Sequence, residues 1–358
     1  MLPLVIEPDL TSHPSFQTQL PLDTRMALVK EGIFSVIGNT PLIKLNRVFR
    51  DISFDLYAKL ECLNPGGSTK DRSAASIIKH GIESGAIGSG TVVIGSSSGN
   101  MGIGLAQACS YYNLSLICVI DPKTTQQNLN LLKAYGASVD MVTEPDPETG
   151  EFLQARINRV QELLRRTENS FWCNQYANLH NALAHQQTMH EIATVLENKV
   201  DYLFCATSKC GTMRGCSDYV KEHGLKTKMI AVDAVGSIIF GEKKAKRLIP
   251  GHGAAVRPQL YRDDLVDDVV LVSDLSCVIG CRHLMRTESL LVGGSSGAVI
   301  SAVDQMKDRV PSRSTCVAIF ADRGERYLDT IYSDAWVRAH FGDVAHLWTD
   351  PVEIAAYV

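Results

Sequence analysis

The chain has 358 residues, of which 45% are hydrophobic and 21% are charged, and its net charge is −4. This length allows two lobes around a sizeable core, although one large α/β unit would also fit. The mixed charges argue against a nucleic-acid-binding surface, and no apolar run approaches the ~20 residues of a membrane span. The first 25 residues carry acids and prolines and do not resemble a signal peptide, so a cytoplasmic protein that binds neither nucleic acid nor membrane is predicted.

The ten cysteines show no metal-binding spacing. Cys277 and Cys281 are separated by three residues, and Cys210 and Cys216 lack a matching second pair. We therefore predict reduced, mostly buried thiols and no metal site. The basic run 243–247 is the one local concentration of charge, and it is either a solvated surface or a contact for an acidic ligand.

After an extension at residues 1–31, apolar runs of strand length alternate with segments of helical spacing. The predicted strands are Leu56–Leu60, Thr91–Ile94, Leu114–Ile120, Tyr202–Cys205, Met229–Val232, Val269–Val272 and Cys316–Phe320. Predicted helices include Ile103–Tyr112, Asn128–Tyr135, Ile157–Leu164 and Leu183–Leu196. This alternation predicts an α/β fold with parallel sheets, in which ligands bind at the carboxyl ends of the strands.

The first informative loop is the run from Asn64 to Arg72 (NPGGSTKDR), between a strand and a helix that should start near Ser73. Its glycines allow close approach of the backbone to a ligand, and Asp71 could cap the helix. Lys70 is a candidate nucleophile, although a surface or phosphate-binding lysine is the simpler interpretation of this residue alone.

The second loop is Gly95 to Gly102 (GSSSGNMG), directly after a predicted strand. Hydroxyls and free N–H groups at a helix N-terminus form a natural carboxylate site. The string also satisfies the G-x-S-x-G pattern of serine hydrolases with Ser97 at its centre, as does the run 293–297. Two matches in one chain show how weak that pattern is.

The third loop, Thr207 to Thr212 (TSKCGT), feeds a helix predicted over Met213–Val220. Small residues at a helix N-terminus can hold a phosphate, although an ordinary turn is equally compatible with the sequence. Neither a Walker loop nor a dinucleotide fingerprint is present. Together the three loops offer a lysine, a carboxylate site and a phosphate site, which an amino acid bound to pyridoxal phosphate requires.

At these residues the chain resembles the fold-type II pyridoxal-phosphate enzymes of the cysteine synthase and cystathionine β-synthase group. The resemblance rests on the motifs GNTPLIKL from Gly38, NPGGSTKDR from Asn64, SSGN from Ser97 and GERYL from Gly324, and spans about residues 32–340. It implies the fold of the tryptophan synthase β-subunit, with two lobes that each contain a largely parallel sheet flanked by helices.

The resemblance also implies site residues. Lys70 corresponds to the lysine that forms the Schiff base with pyridoxal 5′-phosphate and then moves the Cα proton, and Asn100 corresponds to the residue bonded to the 3′ oxygen of the cofactor. The phosphate would be held by Ser208, Lys209, Cys210, Gly211 and Thr212, and the substrate carboxylate by Ser97 and Ser98, with Met101 beside them.

Departures from cysteine synthases refine these expectations. Met101 follows Asn100 where a threonine is usual, and the run around Asp322 suggests that Ser295 faces the pyridine nitrogen instead of a later serine. The stretches 174–178 and 327–334 resemble the siderophore branch of the family, as in staphyloferrin B biosynthesis. That branch joins O-phospho-L-serine to L-glutamate and gives N-(2-amino-2-carboxyethyl)-L-glutamate on the way to 2,3-diaminopropionate.

The siderophore branch is therefore the expected function, and a cysteine synthase that uses O-acetylserine or O-phosphoserine with sulfide is the alternative. Arg214 and Tyr176 are candidate contacts for the second substrate, although a solvated arginine and a core tyrosine are equally compatible. The expected domains are a larger lobe of residues 32–62 and 176–345, a smaller lobe of residues 63–175 and a tail of residues 346–358. The resemblance also implies a homodimer.

Two functions of other classes remain possible at this point. A serine hydrolase built on Ser97 would need a histidine downstream, and His180, His190 and His283 are available. A protein that keeps the cofactor but has lost turnover would act only as a binding scaffold. The hydrolase alternative leaves Lys70 and the third loop unexplained, and the scaffold alternative would be indicated by a yellow protein that is inert with every β-substituted serine.

Overall fold

The computed structural model describes residues 30–241 and 243–349. The described residues from 37 onward form one compact unit, and residues 30–36 belong to a separate unit. The described part of that separate unit contains one 3-10 turn at Ile33–Val36. The predicted extension, except for residues 30 and 31, and the tail beyond residue 349 lie outside the described residues.

Two sheets organise the compact unit. In the six-stranded sheet the order is β1-β2-β10-β7-β8-β9, and every neighbouring pair is parallel except β1 with β2. The four-stranded sheet has the order β5-β4-β3-β6 and is parallel throughout. The strands are β1 Leu42–Lys44, β2 Asp55–Leu60, β3 Val92–Ser96, β4 Ser115–Ile120, β5 Ser138–Met141, β6 Ser170–Trp172, β7 Tyr202–Ala206, β8 Lys228–Ala234, β9 Asp268–Val272 and β10 Thr315–Phe320.

Helices follow most strands and connect them as parallel crossovers require. The α-helices are α1 Lys70–Glu83, α2 Asn100–Tyr111, α3 Gln126–Ala134, α4 Phe152–Arg166, α5 Leu179–Val195, α6 Gly211–Glu222, α7 Asp274–Glu288, α8 Gly294–Met306, α9 Asp334–Phe341 and α10 His346–Thr349. Short 3-10 turns lie at Glu61–Leu63, Lys307–Arg309 and Gly324–Tyr327. None of the described helices is long and apolar enough to cross a membrane.

These elements confirm the predicted α/β class with parallel-sheet lobes. All seven predicted strands exist, because buried parallel strands are read as continuous apolar runs. β1, β5 and β6 were missed because they are only three or four residues long. All six helices with a predicted start begin two to five residues earlier than predicted. In α1, which begins at Lys70, and in α6, which begins at Gly211, the first turn consists of loop-like residues.

The two sheets fall into different parts of the chain. β3 to β6 lie within residues 63–175, and the other six strands lie within 32–62 and 176–345. The domain boundaries themselves stay a prediction, because the described residues from 37 onward form a single compact unit. The ten cysteines are all free and buried, as expected for reduced thiols in the core.

A buried cluster of four charged side chains ties α1 to the large sheet. The guanidinium of Arg72 donates to both oxygens of Glu61 at 2.7 and 2.8 Å and to both oxygens of Glu191 at 2.7 Å. The ammonium of Lys59 donates to Glu191 at 2.6 Å and to the carbonyl oxygen of Thr40 at 2.6 Å. This cluster joins β2, the turn after it, α5 and the first turn of α1, where Lys70 lies.

The cluster determines the charge of Glu191. Burial by itself raises the pKa of this carboxyl, but hydrogen bonds and charge from Arg72 and hydrogen bonds from Lys59 lower it to about 2. Its contribution to stability is therefore fully present above its ordinary pKa of 4.5 and is lost as the pH falls toward 2.

Glu191→Gln should lower the free energy of unfolding by about 3–5 kcal/mol at pH 7, because it leaves Lys59 without a carboxylate partner and Arg72 with only that of Glu61. The difference from the wild type should shrink as the pH falls from about 4.5 to about 2. Urea denaturation across that range measures both effects. Glu162→Gln is the matched control, since Glu162 forms partly exposed ion pairs with Arg159 and Arg166, and it should cost less than about 1 kcal/mol.

Candidate active site

A cavity of about 420 Å³ lies where the carboxyl ends of strands from both sheets meet helix N-termini. The turn after β2, the loop after β3 and the loop after β7 all contribute to its wall. The predicted site residues that line it are Lys70, Ser97, Ser98, Asn100, Met101, Tyr176, Ser208, Lys209, Cys210, Gly211 and Thr212. The three loops that the sequence singled out are therefore brought together in one place.

Lys70 is the first residue of α1, and its side chain reaches the cavity. Burial is the largest influence on its amine and lowers its pKa below the ordinary value. Nearby Asp322 and Glu61 oppose this shift without reversing it. A lysine that gives up its proton more readily than usual can act as a nucleophile and as a proton carrier.

Asp71 does not cap α1, contrary to the expectation. Its carboxylate accepts a hydrogen bond from the backbone N–H of Gly66 at 2.5 Å and lies 3.4 Å from the hydroxyl of Ser68. The residue before the helix, Thr69, also makes no side-chain cap. Asp71 thus stabilises the conformation of the glycine-rich turn before the helix begins. This turn determines the position of Lys70 at the start of α1.

The loop between β7 and α6 presents backbone N–H groups to the cavity. Cys210 adopts a left-handed conformation (φ 63°, ψ 0°), which is rare for a residue other than glycine and costs roughly 1 kcal/mol. Gly211 must lack a side chain, because a Cβ there would lie 2.5 Å from the amide oxygen of Asn181. This close approach sets the N-terminus of α6, with its partial positive charge, against the cavity.

Thr212 is oriented from behind by His185. The Nε2 atom of His185 lies 3.2 Å from the hydroxyl of Ser73 and 3.3 Å from that of Thr212, and its Nδ1 atom lies 3.1 Å from the hydroxyl of Thr188. Burial, followed by the charges of nearby cations, lowers the pKa of His185 well below its ordinary value, so the ring is neutral.

The hydrogen-bond network also assigns the tautomer of His185. Ser73 donates its hydroxyl hydrogen to Asn181 at 2.7 Å and can only accept from the ring, so the proton is on Nε2. Thr212 then accepts from Nε2, and its own hydrogen remains free to be donated into the cavity. That arrangement suits an anion such as a phosphate.

Ser97 and Ser98 lie at the opposite wall, before α2. The hydroxyl of Ser97 accepts from the backbone N–H of Gly99 at 3.3 Å, and that of Ser98 accepts from Arg156 at 2.9 Å. Arg156 is 3.2 Å from the carboxylate of Asp121. The loop therefore combines hydroxyls, a helix N-terminus and a guanidinium, which can bind a carboxylate.

Tyr176 and Lys209 face each other within the cavity. The ammonium of Lys209 lies 5.4 Å from the centre of the Tyr176 ring, and the tyrosine hydroxyl donates to the carbonyl oxygen of Ser96 at 3.1 Å. Burial, together with the positive charges of Arg156 and Arg247, lowers the pKa of Lys209 to about 8. The cavity therefore carries a positive potential.

Ser295 lies apart from the main cavity and lines a small adjoining one of about 50 Å³, together with Lys70, Asn100 and Thr212. Its neighbour Ser296 accepts a hydrogen bond from the backbone N–H of Ala321 at 3.1 Å, which fixes this loop to the end of β10. Ser295 is 3% exposed and thus faces Lys70 and Asn100 rather than solvent.

Arg214 is on α6 but is not among the residues that line either cavity. Its Nε atom lies 3.6 Å from the carboxylate of Asp218, one helical turn further on. The prediction that it contacts the second substrate therefore has no geometric support. Arg214 lies on the same helix face as the Cβ direction of Gly211, and that face packs against Asn181 instead of the cavity.

Several cationic residues that the sequence analysis did not select line the main cavity: Lys123, Arg156, Arg247 and Arg326. They come from four separate segments: Arg326 belongs to the GERYL motif and Arg247 to the basic run, whereas no motif marks Lys123 or Arg156. Arg247 ends the basic run 243–247, and with Lys244 and Lys246 it also lines an adjoining cavity of about 840 Å³. The run is therefore not only a solvated surface, because its last residue faces the cavity that contains Lys70.

The comparisons with known proteins agree with this geometry. Residues 33–322 match the family model described as "Pyridoxal-phosphate dependent enzyme". The chain belongs to this family. A crystal structure of an O-acetylserine dependent cystathionine beta-synthase from Helicobacter pylori is 31% identical, with a TM-score of 0.80 over 86% of this chain and 100% of the other.

Two further structures are similar to the chain. A hydrogen sulfide-producing enzyme from Fusobacterium nucleatum is 31% identical, with a TM-score of 0.77 over 83% of this chain and 98% of the other. A cysteine synthase from Entamoeba histolytica is 29% identical, with a TM-score of 0.79 over 85% of this chain and 91% of the other. The chain is therefore a pyridoxal-phosphate-dependent β-substituting enzyme of the cysteine synthase group.

The residues of the cavity fit this cofactor. Lys70 supplies an amine of lowered pKa, and the N-terminus of α6 with the free hydroxyl hydrogen of Thr212 supplies an anion site. Gly211 allows the backbone to approach because Asn181 packs directly behind it. Lys70 and the phosphate loop would thus hold the two ends of the cofactor.

The serine hydrolase alternative does not fit the structure. His180 stacks on His80 with ring centres 3.6 Å apart, His190 bonds the hydroxyl of Tyr219, and His283 bonds the carbonyl oxygen of Val48. None of these histidines lines the cavity that contains Ser97. Ser97 thus lacks the general base that a serine nucleophile needs.

Borohydride reduction should fix the cofactor covalently on Lys70, and Lys70→Ala should abolish the reducible link. The reason is that Lys70 is the lysine shared by the main cavity and the small cavity beside Ser295. Peptide mapping by mass spectrometry measures the labelled position. Lys209 serves as the internal control, because it lines the main cavity too. A label on Lys209 in the wild type would contradict the assignment.

Thr212→Ala should weaken cofactor binding by about 1–3 kcal/mol, because it removes a charge-assisted hydrogen bond to phosphate. Ser208→Ala should have a smaller effect in the same direction, because the hydroxyl of Ser208 donates to the carbonyl oxygen of Gly253 at 3.0 Å. Titration of the apoenzyme with cofactor measures the affinity. Thr227→Ala is the matched control, since Thr227 is buried and donates to Val200 away from the cavity. Equal affinity in all three variants would mean that the phosphate is held elsewhere.

Proposed function

We propose that the enzyme replaces the phosphate of O-phospho-L-serine by the amine of L-glutamate, giving N-(2-amino-2-carboxyethyl)-L-glutamate and inorganic phosphate. The observation that carries this proposal is the concentration of cations around Lys70. Five further basic side chains line the cavity, against the single carboxylate of Asp121, and that carboxylate is already paired with Arg156. The residues are Lys123, Arg156, Lys209, Arg247 and Arg326.

Such a surplus of positive charge suits two anionic substrates. A phosphorylated amino acid brings a dianionic leaving group, and glutamate brings two carboxylates. Hydrogen sulfide needs no carboxylate site. Burial, followed by the charges of Arg156 and Arg247, lowers the pKa of Lys209, so these cations lie close enough to act on the same bound group.

Pyridoxal phosphate, when bound, withdraws electrons from the α-carbon of the amino acid that it carries, so that the α-proton can be removed and the β-substituent can leave. The protein supplies the proton transfer at Nζ of Lys70, whose lowered pKa favours the neutral amine. Ser97 and Ser98 at the start of α2 would bind the carboxylate of the first substrate and so orient its α-proton.

The second substrate would bind between the two walls of the cavity. Arg156 bonds Ser98 on one wall, and Lys209 packs on Tyr176 from the other. A dicarboxylic amino acid that contacts Arg156 could place its amine toward the α2 loop, where the first substrate lies. Tyr176 would close the apolar side of this space.

A cysteine synthase reaction with sulfide is the second candidate, and the similarity to the enzyme from Entamoeba histolytica favours it. The two functions differ in their second substrate, so competition decides between them. O-phospho-L-serine offered with equal glutamate and sulfide should give an N-linked dicarboxylic amino acid in mass spectrometry. Cysteine as the dominant product would overturn the proposal.

The resemblance to the cysteine synthase group supports three further predictions made from the sequence. They are a homodimer, a cytoplasmic location and the boundaries of the two lobes. The surface near the stacked rings of His80 and His180 carries exposed apolar side chains, Leu179 and Leu183, one helical turn apart on α5. Ile82 is also partly exposed on the neighbouring α1. An apolar surface of this kind is consistent with contact between two copies of the chain.

Arg156→Gln should raise the apparent KM for glutamate by about tenfold or more, because it removes a charge-assisted bond to a carboxylate. The burst of phosphate released from O-phospho-L-serine alone should change less. Arg214→Gln is the matched control, since Arg214 does not line the cavity, and it should leave both quantities near wild type. If the KM for glutamate rises only in Arg214→Gln, then Arg214 contacts the second substrate, as the sequence predicted, and the assignment of this role to Arg156 is wrong.

A further inference from the structure

Asp322 is a buried carboxylate beside the cavity that no step of the proposed reaction uses. It follows β10 closely, is 2% exposed and pairs with both neighbouring loops. Its backbone forms an antiparallel bridge with Ser68, and its carbonyl oxygen accepts from the N–H of Gly293 at 3.0 Å. Gly293 must be glycine, because a Cβ there would collide with Oδ1 of Asp322. Asp322 is thus enclosed between the loop of Lys70 and that of Ser295.

The carboxylate of Asp322 is directed at Asn100. Its Oδ2 atom accepts from Nδ2 of Asn100 at 2.7 Å and from the hydroxyl of Tyr327 at 2.5 Å. Its Oδ1 atom has no hydrogen-bond partner among the described residues. At the other end of the same amide, Oδ1 of Asn100 accepts from the guanidinium of Arg326.

These two partners determine which way the amide of Asn100 points. A carboxylate can only accept and a guanidinium can only donate, so the amide nitrogen must face Asp322 and the amide oxygen must face Arg326. The amide nitrogen has two hydrogens, and Asp322 takes one of them. The second remains available, and Asn100 lines both the main cavity and the small cavity that contains Lys70.

We propose that Asp322 is a positioning residue that holds the amide of Asn100 with its second N–H directed at the ring oxygen of the bound cofactor. The inference rests on the proposed contact between Asn100 and that oxygen. Without Asp322, only Arg326 would hold the amide, and an amide that rotated about its last bond would present its oxygen to the oxygen of the cofactor, which repels it.

The energetics of Asp322 also point to a role other than stability. Burial is the largest influence on this carboxyl and raises its pKa, although Tyr327, Asn100 and the charges of Arg326 and Lys70 act in the opposite direction. A buried carboxylate with one oxygen unsatisfied costs free energy of folding. A smaller uncharged residue would avoid that cost, so its presence is better explained by what it orients.

The test compares Asp322→Ala, Asn100→Ala and the double variant. The readouts are the wavelength at which the bound cofactor absorbs and its dissociation constant, and neither requires turnover. Each single variant should shift the absorbance and weaken cofactor binding by roughly tenfold, the effect of one hydrogen bond to a charged group. The double variant should match Asn100→Ala alone, because Asp322 acts through Asn100.

Two further variants separate positioning from general destabilisation. Asp322→Asn keeps an acceptor of the same shape and should recover most of the wild-type absorbance. This variant can be measured even if Asp322→Ala fails to fold. Asp146→Ala is the matched control, since Asp146 is buried and accepts from Thr149 away from the cavity. It should lower thermal stability and leave the absorbance unchanged.

Three results would overturn the inference. They are a wild-type absorbance in Asp322→Ala, additive shifts in the double variant, or an unchanged absorbance in Asn100→Ala. The last of these would also remove the proposed contact of Asn100 with the cofactor. None of them bears on the choice between glutamate and sulfide, which the product analysis decides separately.

Discussion

The buried ion cluster around Arg72 is the constraint on which the active site depends. Arg72 lies two residues after Lys70 in the first turn of the same helix, and its guanidinium is held by Glu61 and Glu191 from two different elements. A helical turn is rigid over that distance, so the cluster fixes the position from which Lys70 reaches the cavity. The attraction between these charges offsets the free-energy cost of their desolvation only if every partner is present. A single substitution in the cluster therefore lowers stability strongly.

The order of strands in the large sheet explains why distant motifs meet. β2, β10 and β7 are consecutive neighbours and run parallel, so their carboxyl ends lie side by side. β2 leads to Lys70, β10 leads to Asp322 and β7 leads to the phosphate loop. The middle strand therefore places Asp322 beside the loop of Lys70, where its backbone pairs with Ser68 and its side chain contacts Asn100.

Positive charge in the cavity is balanced only in part by the protein itself. Asp121 is paired with Arg156, and Asp322 is shielded behind Asn100, while Arg247, Lys123 and Lys209 face the same space without a carboxylate of their own. An enzyme that binds a phosphorylated cofactor and anionic amino acids gains affinity from such an arrangement. The same arrangement lowers the pKa of Lys209 and keeps the free protein receptive to anions.

The sequence alone determined the fold class, the cofactor and the three loops, because strand periodicity and the motif around Lys70 depend on residues that are close together in the chain. It also selected most of the residues that line the cavity, since these belong to the same loops. It gave Arg214 a role that the geometry does not support, because the sequence does not show that this side chain lies beside Asp218 and outside the lining of the cavity. Only the tertiary structure brought Arg156, Arg247 and Asp322 to the cavity or to the residues that line it. Arg156 comes from a segment without a motif, and Arg247 and Asp322 lie in runs whose sequence does not show which cavity or residues they reach. Their places follow from strand order and long-range packing, which no local pattern encodes.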